Sequence, residues 1–493
     1  MGKRRIAVIG SGQSGLVAAH GLVRAGHDVK VYSDRSADAW LNESRPPGTA
    51  ARFQPALSCE RSLGLAHWES DAPTLRGIHL TFSPKVGNRL LTMAARLQAN
   101  HGRHSPRRVS TACAATRTWK ARGPAGRMAM INSPSRDGKR IEALDVLRGF
   151  VMILMTLDHS SAAFNAGRTM SDSAFLFPSS TALDPLQFAV RWVTHLCAPS
   201  FVFLAGAGLA LSVVRRQRAG QSAGAIDRDI ALRGLLLVVL DVVWMSWTPR
   251  LDLSVIEIGV LSAIGASMLA MVVVRRLPPS IVLVIGIAII VGGEAIITRL
   301  DPNDALAAAT MTSGFIGRVL YLYPVLPWMG ILFVGWALGH RIAGPGMRSR
   351  DWLMLALGAA LVFAVVRGAN MYGNEHVFRR GGSWIEYLHV SKYPPSLAYV
   401  ALELAIAFAL LAMFWRWKMP WTPMVVLGQT ALFYYLIHIH LFKVTATALG
   451  MFKNRGLGTV LVGWLVVLIV LYPLCLSYLG LKRRYPRSVL RLI

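Results

Sequence analysis

The chain has few acidic residues and few cysteines. Its 493 residues include 25 aspartates and glutamates against 53 lysines and arginines, which gives a formal net charge of +28. The four cysteines, Cys59, Cys113, Cys197 and Cys475, show neither CxxC spacing nor the spacing of a zinc site. We therefore predict neither a disulfide framework nor a metal site.

Charged residues of either sign are also scarce. They make up 16% of the chain, whereas apolar residues make up 54%, which indicates a polytopic membrane protein with a soluble appendage. The basic residues lie mostly before residue 141 and in short clusters between apolar runs, such as 215–218 and 482–484. This pattern is typical of membrane topology signals, so we expect a lipid bilayer and no nucleic acid as partner.

A secretory signal is not recognisable at the start of the chain. Residues 1–35 alternate strand, glycine turn and amphipathic helix instead of forming one apolar core. Gly10, Gly12 and Gly15 form a GxGxxG turn between a predicted strand at 6–9 and a predicted helix at 16–25. Such a turn lets backbone amides approach a pyrophosphate, and Asp34, after a second predicted strand, would accept a ribose hydroxyl.

The stretches RIAVIGSGQSGL, VYSDR, RPPGTAARF and HLTFSPKVGNRLL resemble the N-terminal end of styrene-monooxygenase-like FAD-dependent oxygenases. Those enzymes need several hundred residues, but here the similarity covers residues 1–97. We predict a truncated Rossmann-like α/β fragment that binds FAD only if it folds. Residues 98–140 are predicted to be a disordered basic connector. We hypothesise that residues 1–127 are a remnant of a gene fusion, with Met128 or Met130 as alternative starts.

The remainder, residues 141–493, is predicted to be an all-α bundle in the inner (plasma) membrane with both termini in the cytoplasm. About ten segments have the length of about 20 residues that is needed to cross the hydrocarbon core. They lie near residues 144–165, 191–214, 230–248, 254–274, 280–298, 317–340, 352–367, 395–415, 423–446 and 457–480.

Ionisable residues inside the first two spans are candidates for chemistry. In the first span, Asp145 and Arg148 are three residues apart at the predicted cytoplasmic end, and Asp158 and His159 lie about three turns later. His195 lies at the predicted outer entrance of the second span. Because ionisable groups are costly within a membrane, we expect them to face the bundle interior.

Motifs along most of the membrane part resemble a known family. LDVLRGF, THLCAPSFVFLAG, YPVLPWMGILFVGWALG, KYPPSLAYV and LGQTALFYYLIHIHL are similar to bacterial relatives of heparan-α-glucosaminide N-acetyltransferase, among the transmembrane acyltransferases. The resemblance implies transfer of an acetyl or other acyl group from cytoplasmic acetyl-CoA or another acyl-CoA to a sugar-like acceptor on the outer face.

The resemblance also assigns site residues. Asp145 and Arg148 match the start of the family pattern. Basic residues near the predicted cytoplasmic side, such as Arg148, Arg233 and the arginines of the inner loops, would meet the CoA phosphates. The family's catalytic histidine lies just after the first span, where this chain has none, so its role passes to His159 or His195, or is absent. His159 is our candidate general base, oriented by Asp158 or by a partner from another helix.

Two other functions are compatible with the sequence. A transporter would use the intramembrane acids Asp241, Glu257, Glu294 and Glu403 for proton or ion coupling. A membrane-tethered flavin monooxygenase remnant would depend on the N-terminal fragment. The acceptor, whether a glycan or another hydroxyl or amine compound, and the oligomeric state stay open.

Overall fold

The computed structural model describes residues 141–168, 171–173, 183–247, 251, 253–301, 303–379, 381–417, 422–485 and 488, and four strands before residue 98. The chain divides into two compact units, Met1–Asn132 and Ser133–Ile493. All of the described helices belong to the second unit.

The four strands of the first unit form one mixed sheet. They are β1 (Arg5–Ile9), β2 (Asp28–Ser33), β3 (Ile78–Pro84) and β4 (Leu91–Leu97), in the order β1-β2-β4-β3. β1 and β2 pair in parallel, whereas β4 is antiparallel to both of its neighbours. β1 and β2 lie where the sequence predicts the two strands that flank the glycine turn.

The nucleotide-binding features of this unit lie outside the described residues. These are the turn with Gly10, Gly12 and Gly15, the predicted helix at 16–25, and Asp34. The predicted connector, residues 98–140, lies outside them as well. The Rossmann-like fragment and its binding of FAD therefore stay predictions.

The second unit is mostly helical. Its described part contains α1 (Glu142–Phe164), α2 (Pro185–Val193), α3 (Cys197–Arg218), α4 (Ala223–Val239), α5 (Val260–Val274), α6 (Pro279–Ile297), α7 (Ala305–Thr310), α8 (Val325–Ala343), α9 (Ser349–Ala369), α10 (Trp384–Leu388), α11 (Leu397–Arg416), α12 (Thr422–Gln429), α13 (Ala431–Ala448) and α14 (Leu457–Arg484). A 3-10 turn, Thr194–Leu196, joins α2 to α3, and a π-helical turn, Leu240–Met245, extends α4.

Six of the described helical segments are long and apolar enough to cross a membrane. They are Pro185–Arg218, which joins α2 to α3, and the helices α6, α8, α9, α11 and α14. The pair α12 and α13, bent by 85°, adds a seventh if it forms one span. Helices α1, α4 and α5 occupy the other predicted positions, but α4 and α5 are shorter and α1 is more polar. The chain is thus a multi-pass membrane protein, and the number of ten crossings stays a prediction.

Helix α1 is the centre of the bundle. It packs against α3, α11, α12, α13 and α14, so polar groups on its different faces meet several partners. Its contact with α12 is a backbone contact, because a Cβ on Gly149 would lie 1.9 Å from the carbonyl oxygen of Met424. Helices α3 and α8 meet in the same way, since a Cβ on Gly206 would lie 2.1 Å from the carbonyl oxygen of Leu332. Small residues of this kind are typical of membrane helix interfaces.

Irregular segments cover one end of the bundle. Short strands β5 (Ile256–Ile258), β6 (Gly314–Ile316) and β7 (Val319–Tyr321) form a sheet in the order β5-β7-β6. The segment before α11 docks on the segment between α1 and α2, where the backbone amide of Lys392 donates to the carbonyl oxygen of Asp172 at 2.7 Å. These segments position polar side chains next to the end of α1.

Candidate active site

One cavity of about 680 Å³ runs beside α1 through the second unit. Its lining includes Arg148 near the start of α1 and His159 near its end. Eleven residues of helix separate the two, which is about 16 Å along the helix axis. Walls come from α3, α4 with its π turn, α5, α12 and α13, and from the segments at residues 320–323, 392–393 and 452–453. The cavity therefore connects the two groups of polar residues that the sequence predicts on α1.

Arg148 is held at the first end of this cavity. Its Nη1 lies 3.2 Å from Asp145 Oδ1, and its Nη2 lies 3.5 Å from the carbonyl oxygen of Leu204 on α3. The side chain keeps 22% of its surface exposed, whereas Asp145 is buried. Arg233, the other predicted CoA-binding residue, lies on α4 and is not in the cavity lining. Of the two arginines, only Arg148 faces the cavity.

His159 lines the far part of the cavity and pairs with a histidine from another helix. Its Nδ1 lies 2.6 Å from Nε2 of His438 on α13, and the centres of the two rings, whose planes are inclined by 27°, are 4.9 Å apart. His438 is fully buried, and its Nδ1 lies 2.9 Å from the carbonyl oxygen of Tyr434. The sequence leaves open whether Asp158 or a partner from another helix orients His159, and the contact in the structure comes from another helix.

Asp158, next to His159, belongs to a separate network of charges. Its Oδ1 accepts hydrogen bonds from Arg191 Nη1 at 2.5 Å, Arg168 Nη1 at 3.0 Å and Thr194 Oγ1 at 2.9 Å. Arg191 also binds Asp172 through Nη2 at 2.5 Å, so one guanidinium bridges two buried carboxylates. Two basic side chains thus neutralise Asp158 in this part of the molecule.

His195 lies behind this network and outside the cavity lining. It is 2% exposed, and its Nε2 is 3.4 Å from Asp172 Oδ2. Burial alone would raise the pKa of Asp172, but Arg191 and His195 hold that pKa well below its usual range. The structure therefore places His195 as a neighbour of the Arg191–Asp172 ion pair, whereas His159 faces the space that a substrate would occupy.

A helix break forms part of the cavity wall. Helix α12 ends at Gln429 and α13 begins at Ala431, with an angle of 85° between them. Gly428, Gln429 and Ala431 line the cavity, so polar backbone of the break adjoins it. Breaks of this kind occur in membrane proteins where the freed backbone groups lie beside a cavity.

Three residues of this region were not predicted from the sequence: His438, Arg191 and Asp172. An available signal was that His438, like His159, is an ionisable residue within an apolar run. Among the residues that the structure describes, no group of three or more histidine, cysteine, aspartate or glutamate side chains is arranged to hold a metal ion.

Comparison with known proteins bears on the same region. Residues 140–372 match the family model described as heparan-alpha-glucosaminide N-acetyltransferase, catalytic. The matched region contains Asp145, Arg148, Asp158, His159 and His195, whereas His438 lies beyond it. A search of curated proteins gives no match. Residues 140–372 are thus similar to the catalytic region of an acetyltransferase family, which suggests a membrane acetyltransferase.

Proposed function

We propose that the membrane part of this chain is an acyltransferase that uses acetyl-CoA or another acyl-CoA as donor. The acceptor is a hydroxyl or amine group of a sugar-like molecule that arrives from the outer face. The observation that carries this proposal is the cavity that joins Arg148 to His159. The family match over residues 140–372 supports the same class of reaction.

The two ends of the cavity suit the two ends of an acyl-CoA molecule. An arginine pairs well with phosphate, so Arg148 at the predicted cytoplasmic end is suited to the phosphates of the donor. The thioester lies at the other end of the pantetheine arm and would extend along α1 toward His159. The lining between them includes Met152, Met155 and Phe201, which suits the mainly uncharged arm.

The chemistry needs one proton acceptor. The acceptor amine or hydroxyl attacks the thioester carbonyl carbon, a new N–C or O–C bond forms, and the C–S bond breaks. His159 takes the proton from the attacking group and returns it to the departing CoA thiolate, so charge and protons balance. Direct transfer of this kind needs no covalent enzyme intermediate, although an acetyl-imidazole on His159 is the alternative route.

Contacts of two of the four intramembrane acids disfavour them as ion carriers. Asp241 accepts hydrogen bonds from the backbone amides of Gly259 and Ser262 at 2.7 and 2.9 Å, at the start of α5. Glu294 accepts from the amides of Gly373 and Glu375 and so anchors the segment after α9. Both carboxylates therefore have structural partners, which leaves them less suited to carry ions.

The test is acetyl transfer by the purified full chain in detergent or nanodiscs. With radiolabelled acetyl-CoA and a panel of amino sugars, we expect labelled product from the wild type and a loss of about 10²-fold or more in His159→Gln. The matched control is His376→Gln, an exposed histidine after α9, which should keep wild-type activity. Undiminished transfer by His159→Gln, or substrate uptake into proteoliposomes without any product, would contradict the proposal.

A further inference from the structure

Two histidines and one carbonyl group form a chain of hydrogen bonds that ends at the cavity. Tyr434 contributes its backbone oxygen, His438 bonds it through Nδ1 at 2.9 Å, and His438 Nε2 meets His159 Nδ1 at 2.6 Å. The ring of His159 then faces the cavity. The contact between nitrogen and oxygen has normal hydrogen-bond length and the contact between the two nitrogens is slightly shorter, so each must have one donor and one acceptor.

The carbonyl oxygen of Tyr434 determines which atom donates in each of these hydrogen bonds. It accepts and cannot donate, so Nδ1 of His438 carries a hydrogen. A neutral imidazole with its hydrogen on Nδ1 presents a lone pair at Nε2. The contact at 2.6 Å then requires that Nδ1 of His159 donates to it. His159 is therefore protonated at Nδ1, and the lone pair is at Nε2.

This direction of hydrogen bonding requires that His438 is neutral, and the surroundings of His438 favour its neutral form. His438 is fully buried at the centre of the bundle, and the groups around it are His159, Tyr434, Tyr435 and His440. Among the described residues, no carboxylate is within ion-pair distance of it. A cation at this position would be an uncompensated buried charge, which is strongly unfavourable.

We infer that His438 is a positioning residue that fixes the tautomer and orientation of His159, and so makes His159 Nε2 the proton acceptor of the site. This inference rests on the proposed acyl transfer. In the reaction, Nε2 of His159 takes the proton of the attacking amine or hydroxyl, and the resulting imidazolium still donates from Nδ1 to His438. When the C–S bond breaks, the proton passes from Nε2 to the sulfur of CoA.

In this site the hydrogen-bond partner of the histidine base is a neutral imidazole ring instead of a carboxylate. In many histidine bases the partner is an aspartate, but here Asp158 is held by Arg191 and Arg168, and His438 occupies the partner position. A neutral acceptor stabilises the imidazolium less than a carboxylate does. It also leaves His159 without a buried negative charge beside Nδ1 in the resting site.

The experiment compares two replacements of His438 in the full chain. Phenylalanine keeps a ring but removes the acceptor, whereas glutamine keeps an oxygen near the position of Nε2. We expect His438→Phe to lower kcat for acetyl transfer about 10²-fold with little change in KM for acetyl-CoA. His438→Gln should recover at least about a tenth of wild-type kcat. A purely structural role would not produce this difference between kcat and KM, nor the recovery by glutamine.

The matched control is His440→Phe on the same helix. His440 contacts the carbonyl oxygens of Leu436 and Trp244, each at 3.0 Å, and is not in the cavity lining. Its replacement should leave kcat within about threefold of wild type. Thermal unfolding of all variants identifies any that fail to fold. Equal kcat in His438→Phe and wild type, or equal loss in both His438 variants when both fold, would overturn the inference.

A second measurement does not depend on activity. In protein labelled with ¹⁵N-histidine, His159 should show a protonated Nδ1 and an unprotonated Nε2, with its signals assigned by their loss in His159→Gln. The opposite tautomer in wild type would overturn the inference even if transfer occurs. Conversely, absence of transfer to every acceptor, with the expected tautomer present, would contradict the proposed function and leave the positioning of His159 intact.

Discussion

Gly428 on α12 lies directly against the backbone of Asp145 on α1. A Cβ at position 428 would be 2.0 Å from the carbonyl oxygen of Asp145, a distance that no rotation of a side chain can relieve. Arg148, one turn further along α1, lies with Nη1 3.5 Å from the carbonyl oxygen of Gly428. The close approach of these two helices thus also shapes the end of the cavity that holds Arg148.

Gly428→Ala should therefore destabilise the bundle. Overpacking of this kind costs about 1–3 kcal/mol, and here the obstacle is backbone, so we expect the upper end of that range. The measurement is the shift in thermal unfolding temperature in detergent. Gly458→Ala on α14 is the control, because a Cβ there meets nothing within 4 Å. Similar unfolding temperatures for the two variants would show that α1 and α12 do not pack this closely.

Arg191→Lys should lower stability even though it preserves the charge. The guanidinium bridges Asp158 and Asp172 with two nitrogens, and an ammonium group cannot reproduce that geometry. A buried carboxylate that loses its partner is costly, and we expect a loss of at least about 2 kcal/mol. In Arg276→Lys, where the side chain is 57% exposed and pairs with Asp227, the loss should be about 1 kcal/mol or less. Thermal or denaturant unfolding in detergent would compare the two variants.

Arg148→Gln should weaken the use of acyl-CoA. If Arg148 meets the donor phosphates, its loss raises KM for acetyl-CoA about tenfold and changes kcat much less, because the thioester is remote from it. Arg233→Gln should have the smaller effect, since Arg233 is outside the cavity lining. Steady-state kinetics of the two variants at several acetyl-CoA concentrations provide the comparison. A larger rise in KM for Arg233→Gln would place the phosphates beside α4.

Glu375 should make the folded protein less stable as the pH rises. Burial, and then the nearby Glu294, raise the pKa of Glu375 from its ordinary value of 4.5 to about 8. The folded protein thus keeps a proton that the unfolded chain releases, so stability falls with increasing pH between about 4.5 and about 8. Glu375→Gln resembles the protonated form. Over this pH range, its unfolding temperature should therefore fall by at least about 2 °C less than that of the wild type.

Unfolding temperatures of wild type and Glu375→Gln in detergent, measured at several values between about pH 5 and pH 9, would test this sign. Asp301→Asn, at an exposed acidic residue after α6, is the control and should follow the wild-type curve. A wild-type protein whose stability increases across this range would contradict the prediction.

The features that depend on one helix were predictable from the sequence. Helical periodicity and the cost of ionisable groups in a membrane place Asp145, Arg148, Asp158 and His159 toward the interior, and all four are buried or line the cavity. The prediction for Arg233 used only its position near the cytoplasmic side. Which face of α4 meets the cavity is decided by packing against other helices, and that information is not local.

Contacts between distant parts of the chain were not predictable in this way. His159 and His438 are 279 residues apart, and their pairing depends on how α13 turns after the break at Gln429. Asp172 and Arg191 belong to neighbouring segments, but the bridge to Asp158 forms only because residues 171–173 fold back onto the bundle. No single helix pattern contains this arrangement.

The break between α12 and α13 gives the cavity a polarity that does not titrate. A helix that begins at Ala431 leaves its first amide groups without acceptors inside the helix, and Ala431 and Leu432 line the cavity. The partial positive charge of these amides is the same in acid and in alkali, unlike that of any histidine. An anionic group held beside Arg148 would thus meet a fixed electrostatic environment on this wall, whatever the proton concentration of either compartment.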